Sequence, residues 1–169
     1  MANFDAAFNK VIIAEGGLKL VNNQLDRGGL TYAGISRRHN PYWEGWNVID
    51  SGDTPSVAQV AEFYKRMFWD RILGDVIKDD DVAYSIFEFA VVAGLQTSIK
   101  LAQIVSGAMP DGKFGQNTLR AINSMDAELF SAYFTIAKIA RYRDIVTKDR
   151  KQLTFFMGWI NRALRVVGK

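Results

Sequence analysis

Apolar residues recur at helical spacing along most of this chain, but between Leu18 and Ile35 the pattern lapses. Phe4, Phe8, Val11 and Ile12 mark one face of a first helix, with Glu15 in its last turn. Gly16 and Gly17 are placed to end that helix, because glycine accepts the left-handed dihedrals of a helix C-terminus. From Leu18 to Ile35 no 3.6-residue period persists and Gly28-Gly29 interrupts the run, which predicts short strands or an irregular hairpin carrying Asp26 and Thr31. The fold class that follows is mainly α, with a small β-hairpin or irregular lobe near the N-terminus.

Downstream, "RRHNPYWEGWNVIDSG" reads as a surface loop or short helix whose tryptophans either pack in the core or line a cleft. Thr54 and Pro55 suit the N-cap and first position of a helix with Val57, Val60, Ala61, Tyr64, Met67 and Phe68 on one face. Asp79 to Asp81 start a central helix, apolar on much of its circumference through Val82, Ile86, Phe89, Ala90 and Ala93, which Gly94 ends or marks as a close crossing. A short helix over Thr97 to Ser106 should turn Leu101, Ile104 and Val105 inward, and "SGAMPDGKFG" is a turn-rich connection before helices resume near Gln116. Ser124 can cap a long helix bearing Leu129, Phe130, Tyr133, Ile136, Ala137 and Ala140, and a last helix runs from Leu153 to Leu164.

Composition removes most reaction classes. The 169 residues include no cysteine and one histidine, so thiolate chemistry, Cys-based metal sites and a Ser-His-Asp triad lack material. No metal and no cofactor is expected. A net charge of +3 gives mild attraction to anionic partners and no basic recognition helix, which argues against nucleic acid. No apolar run nears the roughly 20 residues of a bilayer span. The N-terminus has no basic start followed by an apolar core, so no signal peptide is expected.

Carboxyls remain. A general acid must carry its proton near neutrality, and a helix C-terminus, the negative end of the macrodipole, is a place where a carboxyl such as Glu15 can do so. The plainer reading is a solvated glutamate at a helix end. Asp26 either forms an Asx-type turn before Gly28-Gly29 or, with the Thr31 hydroxyl, holds a water opposite Glu15. Tyr32, Trp43, Trp46, Trp69 and Tyr84 are candidates to stack on sugars, though aromatics at helical spacing more often pack in cores and Trp69 is assigned to packing. His39, beside Arg37 and Arg38, reads as a surface residue.

"AEGGLKLVNNQLDRGGLTYAGIS" resembles the motif of glycoside hydrolase family 108, in which Glu-Gly-Gly precedes Asp-x-Gly-Gly-x-Thr and Gly-Ile-Ser or Gly-Ile-Thr. "EFYKRMFWDRI" is similar to that family's Tyr-x-x-x-Tyr-Trp segment, with Phe68 where tyrosine is usual. "FEFAVVAGLQTSIKLAQ", "DGKFGQNTLRAIN", "IARYRDIV" and "FFMGWINRALRV" resemble successive blocks of the peptidoglycan-binding segment that follows this hydrolase in many members. The interval from Glu15 to Asp26 is about two residues longer than in the family and lacks a proline often found there. Glu88 and Val92 stand where the family usually shows Asp and Asn.

The resemblance implies a lysozyme-like helical fold, with a hydrolase region over residues 1–90 and a peptidoglycan-binding-like region over 91–169, packed as one compact unit. It implies an N-acetylmuramidase in which Glu15 is the acid and Asp26 and Thr31 its partners. Tyr32, Trp43, Trp46, Tyr84 and Glu88 would meet the substrate. The alternative it leaves is a peptidoglycan binder, weakly catalytic or non-catalytic, that assists secretion. The implied partner is a peptidoglycan glycan strand, met by a monomer held in the cytoplasm until a holin or secretion system releases it.

Overall fold

The computed structural model of the protein describes residues 1–23 and 29–165, and the chain falls into two compact units, Asn3–Asp70 and Met1–Ala2 with Arg71–Lys169. In the first, α1 (Phe4–Ala14) starts where the Asn3 side chain accepts the Ala6 N–H, and turns Ala7, Phe8, Val11 and Ile12 inward. Glu15 is its C-cap, one residue past the expected last turn, and Gly16 and Gly17 at φ of 91° and 83° lead the chain away. An antiparallel sheet follows in the order β1 (Leu20–Asn23), β2 (Gly29–Tyr32), β3 (Ile35–Ser36), with Thr31 paired to Val21 on one side and Ser36 on the other. Asp26 lies outside the described residues.

Two short helices complete this unit, α2 (Gly45–Asp50) and α3 (Val57–Tyr64). The cap of α3 is Ser56, two residues after the expected Thr54: its hydroxyl accepts the Gln59 N–H and the Gln59 side chain accepts the Ser56 N–H, a reciprocal pair that Thr54 has no partner to match. Beyond Tyr64 the helix widens into a π-turn at Lys65–Trp69. The wider turn carries the buried face from Val60 and Tyr64 to Trp69, five residues on, and leaves Met67 41% exposed where a continued α-helix would have turned it inward.

In the second unit, α4 (Asp80–Ala93) is capped by Asp79, which accepts the Val82 N–H, and Gly94 at φ 90° ends it. Val82, Ala83, Ile86, Phe87, Phe89 and Ala90 are buried, as a central helix requires. The division expected between residues 90 and 91 falls inside this helix. Around it stand α5 (Leu95–Ser106), α6 (Gln116–Ser124), α7 (Ala127–Lys148) and α8 (Leu153–Leu164). The cap of α7 is Asp126, whose carboxylate accepts the Leu129 N–H, while Ser124 ends α6 by donating to the Ala121 carbonyl. The inward stripe of α7 is Phe130, Phe134, Lys138 and Tyr142, four residues apart, which leaves Leu129, Tyr133 and Ile136 outside. Phe130 and Phe134 stack at 5.4 Å, and Phe89 meets Phe134 edge-on at 5.8 Å.

The inward face of α5 also differs from its hydrophobic pattern: Ser98, Ile99, Ala102 and Gln103 are buried, and Ile104 is 60% exposed. Gln103 explains the rotation. Its amide donates to the Asp111 carboxylate, the Lys113 carbonyl and the Thr118 hydroxyl, and its carbonyl accepts the Gly112 N–H. One buried side chain thus clasps the whole "DGKFG" turn, and bonds from the Lys113 N–H and Gln103 hold the Asp111 carboxyl below the usual carboxylate range. Gln103→Ala should lower unfolding free energy by about 2–4 kcal/mol in urea melts with unchanged slope, since it removes these bonds and strands buried groups. A loss under about 1 kcal/mol would show that the turn stands without the clasp.

Candidate active site

The first unit brings three groups together where α1 ends. Glu15 is half-buried at the α1 C-cap. The tight turn between β2 and β3 holds Ala33 and Gly34 at φ of 50° and 78°, and Tyr64, at the end of α3, donates its hydroxyl to the Ala33 carbonyl at 2.9 Å. A Cβ built on Gly34 would stand 2.7 Å from the Tyr64 hydroxyl and 3.6 Å from Glu15 Oε2. Glycine is required there twice, by its dihedral and by the space. Because Gly34 is exposed, its bare backbone leaves the Glu15 carboxyl approachable from solvent. Burial, with the Glu15 carboxylate adding to it, pushes the Tyr64 phenol well above its ordinary value, so Tyr64 remains a neutral donor.

Behind this corner runs a continuous aromatic layer. Tyr64 touches Phe8, Phe63 and Phe68 at 5.8 Å each, and Phe4 links Phe8 to the buried Trp69. Trp69 therefore packs, as its spacing predicted.

The other expected site residues are distributed as follows. Thr31 is half-buried and its hydroxyl lies 3.4 Å from the Val21 carbonyl, to which it donates within the sheet. Tyr32, on the opposite face of β2, is 4% exposed, donates to the Pro55 carbonyl and stacks with Trp43 at 6.1 Å. Trp46 is a core residue at 2% exposure, its indole N–H on the Asn40 carbonyl and the Arg37 guanidinium over its ring. Trp43 is half-buried, lies against Gly45 where a Cβ would have no room, and forms part of a cavity of about 310 Å³ with Phe63, Glu44, Gln59, Glu62 and Arg66. Glu15 does not line that cavity; Phe63 separates the two through its contact with Tyr64. His39 is exposed with Nδ1 beside the Ser36 hydroxyl.

Tyr84 and Glu88 belong to the second unit, one turn apart on α4. Glu88 is 4% exposed, and its carboxylate accepts from Lys138 at 3.4 Å and faces Arg162 at 3.8 Å. Burial pushes the Tyr84 phenol up, with the Glu88 charge acting in the same direction.

Tyr64 and Gly34 are the residues that sequence reasoning missed as parts of the site. Both were visible as motif members, Tyr64 in "EFYKRMFWDRI" and Gly34 in "YAGIS", but nothing in their spacing announces that they meet Glu15. Among the described residues, no group of three His, Cys, Asp or Glu side chains could hold a metal ion, and no helix is long and apolar enough to cross a membrane.

Residues 8–94 match the family model Glycosyl hydrolase 108, and residues 92–164 match the "Predicted Peptidoglycan domain". No curated protein matches the chain. Among solved structures, that of Brucella abortus SagA is similar, at 27% identity over 97% of this chain and 91% of that one, with a TM-score of 0.76. The first match takes in Glu15, Asp26, Thr31, Gly34 and Tyr64 together.

Proposed function

The chain belongs to glycosyl hydrolase family 108, and we propose that this glycoside hydrolase, of mainly α, lysozyme-like fold, is an N-acetylmuramidase. It would hydrolyse the β-1,4 bond between N-acetylmuramic acid and N-acetylglucosamine in peptidoglycan. The observation that carries the reading is the Glu15 corner, where a half-buried carboxyl sits beside the Tyr64 hydroxyl under a turn that glycine keeps open. Glu15 protonates the glycosidic oxygen as the bond breaks. Asp26, with the Thr31 hydroxyl, orients the attacking water or stabilises the oxocarbenium-like state. The separation of the two carboxyls sets the stereochemistry, about 5–5.5 Å for retention and 6.5–9.5 Å for inversion.

Tyr64 contributes by position. Its proton is committed to the Ala33 carbonyl, which fixes its oxygen beside Glu15 and fixes the Gly34 turn relative to α1. The region over residues 91–169 grips the same polymer. The wall lies beyond the cytoplasmic membrane, so a monomer held in the cytoplasm until its release would reach it through a holin-type pore or a secretion system.

The test is product chemistry. Purified sacculi digested with the full chain, then reduced with borohydride, should yield fragments ending in reduced muramic acid. Fragments ending in reduced glucosamine or in anhydromuramic acid, or no release at all, would overturn the assignment.

A further inference from the structure

The 310 Å³ cavity of the first unit carries a second assignment. Trp43 and Phe63, in edge-on contact at 6.1 Å, give it an apolar wall, and Glu44, Glu62 and Arg66 line it with charges of both signs. Among the described residues, these three side chains make no hydrogen bond or ion pair, although Glu62 and Arg66 stand four residues apart on α3 and the π-turn that continues it, a spacing at which opposite charges on a regular helix commonly meet. Among the described residues, a guanidinium and two carboxylates thus stand unpaired around one apolar wall.

A neutral sugar can hydrogen-bond to carboxylates and a guanidinium, but it neutralises none of their charge. A ligand bearing an ammonium and a carboxylate on an aliphatic chain uses all of them. The volume is at the small end of ligand sites and takes a residue or two, not a glycan strand. We propose that this cavity binds the diamino-acid end of a peptidoglycan stem peptide. The carboxylate pairs with Arg66, the ammonium with Glu44 and Glu62, and the methylene chain lies on Trp43 and Phe63. Phe63 also touches Tyr64, whose hydroxyl sits at the Glu15 corner, so a stem held here is one side-chain layer from the candidate acid. Stems hang only from muramic acid. Gripping one therefore selects which sugar stands at Glu15. The choice of polymer rests on the muramidase reading; the charge and shape of the ligand do not.

The probe is N-acetylated L-Ala–γ-D-Glu–meso-diaminopimelic acid, whose only ammonium is on the diamino acid, titrated into the full chain and followed by tryptophan fluorescence, with chitotetraose as the glycan probe. Saturable binding of the peptide should weaken about tenfold in Arg66→Ala and in Glu62→Gln, and less in Arg66→Lys, with chitotetraose binding unchanged. On sacculi Arg66→Ala should raise KM several-fold at constant kcat, and should have no effect on strands stripped of stems by an amidase. Peptide that does not bind the wild type, binds the variants equally, or is displaced by chitotetraose would overturn the proposal. Peptide binding by a chain that releases no reducing ends would uphold the cavity and remove the muramidase reading, and hydrolysis without peptide binding would do the reverse.

Discussion

Glu15→Gln should cut the release of reducing ends from sacculi by about 10²–10⁴-fold, the range a positioned general acid supplies. Glutamine keeps the shape of the side chain against Tyr64 and Gly34 and removes only the transferable proton. Because Glu15 is half-buried and caps α1 through its backbone N–H, the exchange should leave circular dichroism unchanged and stability within about 1 kcal/mol. Binding of sacculi should also persist, so the loss belongs to kcat and leaves KM nearly constant, as expected when a group acts in the transition state alone. A folded Glu15→Gln chain retaining more than about a tenth of the wild-type rate would place the acid elsewhere. Asp26 would then be the residue to examine.

Local chemistry explains which parts of this arrangement could be read in advance. The Gly16-Gly17 stop, the Asp79 cap and the turn at Asp111 each depend on one residue's own backbone or side-chain preference, and each appears where its residues predict. The errors arise where a tertiary contact outweighs a periodic pattern. Gln103 rotates α5 because four hydrogen bonds inside the turn outweigh exposure of Ile104. The π-turn after Tyr64 inserts a residue that no 3.6-residue count anticipates, and with it moves Met67 outward. At the candidate site, Glu15 was legible from its helix end and its motif. Tyr64 was not, because its meeting with Glu15 is made by the Ala33-Gly34 turn, across a sequence separation that spacing cannot bridge. Trp46 shows the same limit: one tryptophan of "WEGW" fills the core and the other lines a cavity, and what distinguishes them is tertiary, the Asn40 carbonyl that takes the Trp46 indole N–H and the Arg37 guanidinium over its ring.

Glu88→Ala should destabilise the second unit by about 3–5 kcal/mol, the usual consequence of removing one partner from a buried ion pair. The partner is Lys138, fully buried, whose ammonium donates to the Ser85 hydroxyl at 3.0 Å and to Glu88, and lies over the Phe89 and Phe134 rings at 5.3 and 5.0 Å. Burial already draws Lys138 below its ordinary lysine value, with Glu88 opposing that pull and Arg162 adding to it. A lysine so lowered binds its proton less tightly when folded than when unfolded, so its contribution to stability grows as pH rises toward 10.5. Deleting Glu88 deepens the lowering. The penalty of Glu88→Ala should therefore be greatest near neutrality and shrink through the alkaline range, measured by urea melts at a series of pH values. Glu88→Leu combined with Lys138→Met removes both charges together, and should recover most of the stability and lose the pH dependence. That double variant also separates two roles for Glu88. Sacculus hydrolysis restored with the fold would assign Glu88 to the packing of α4, α7 and α8, whereas a stable but slow double variant would assign it to the substrate, as its motif position implies.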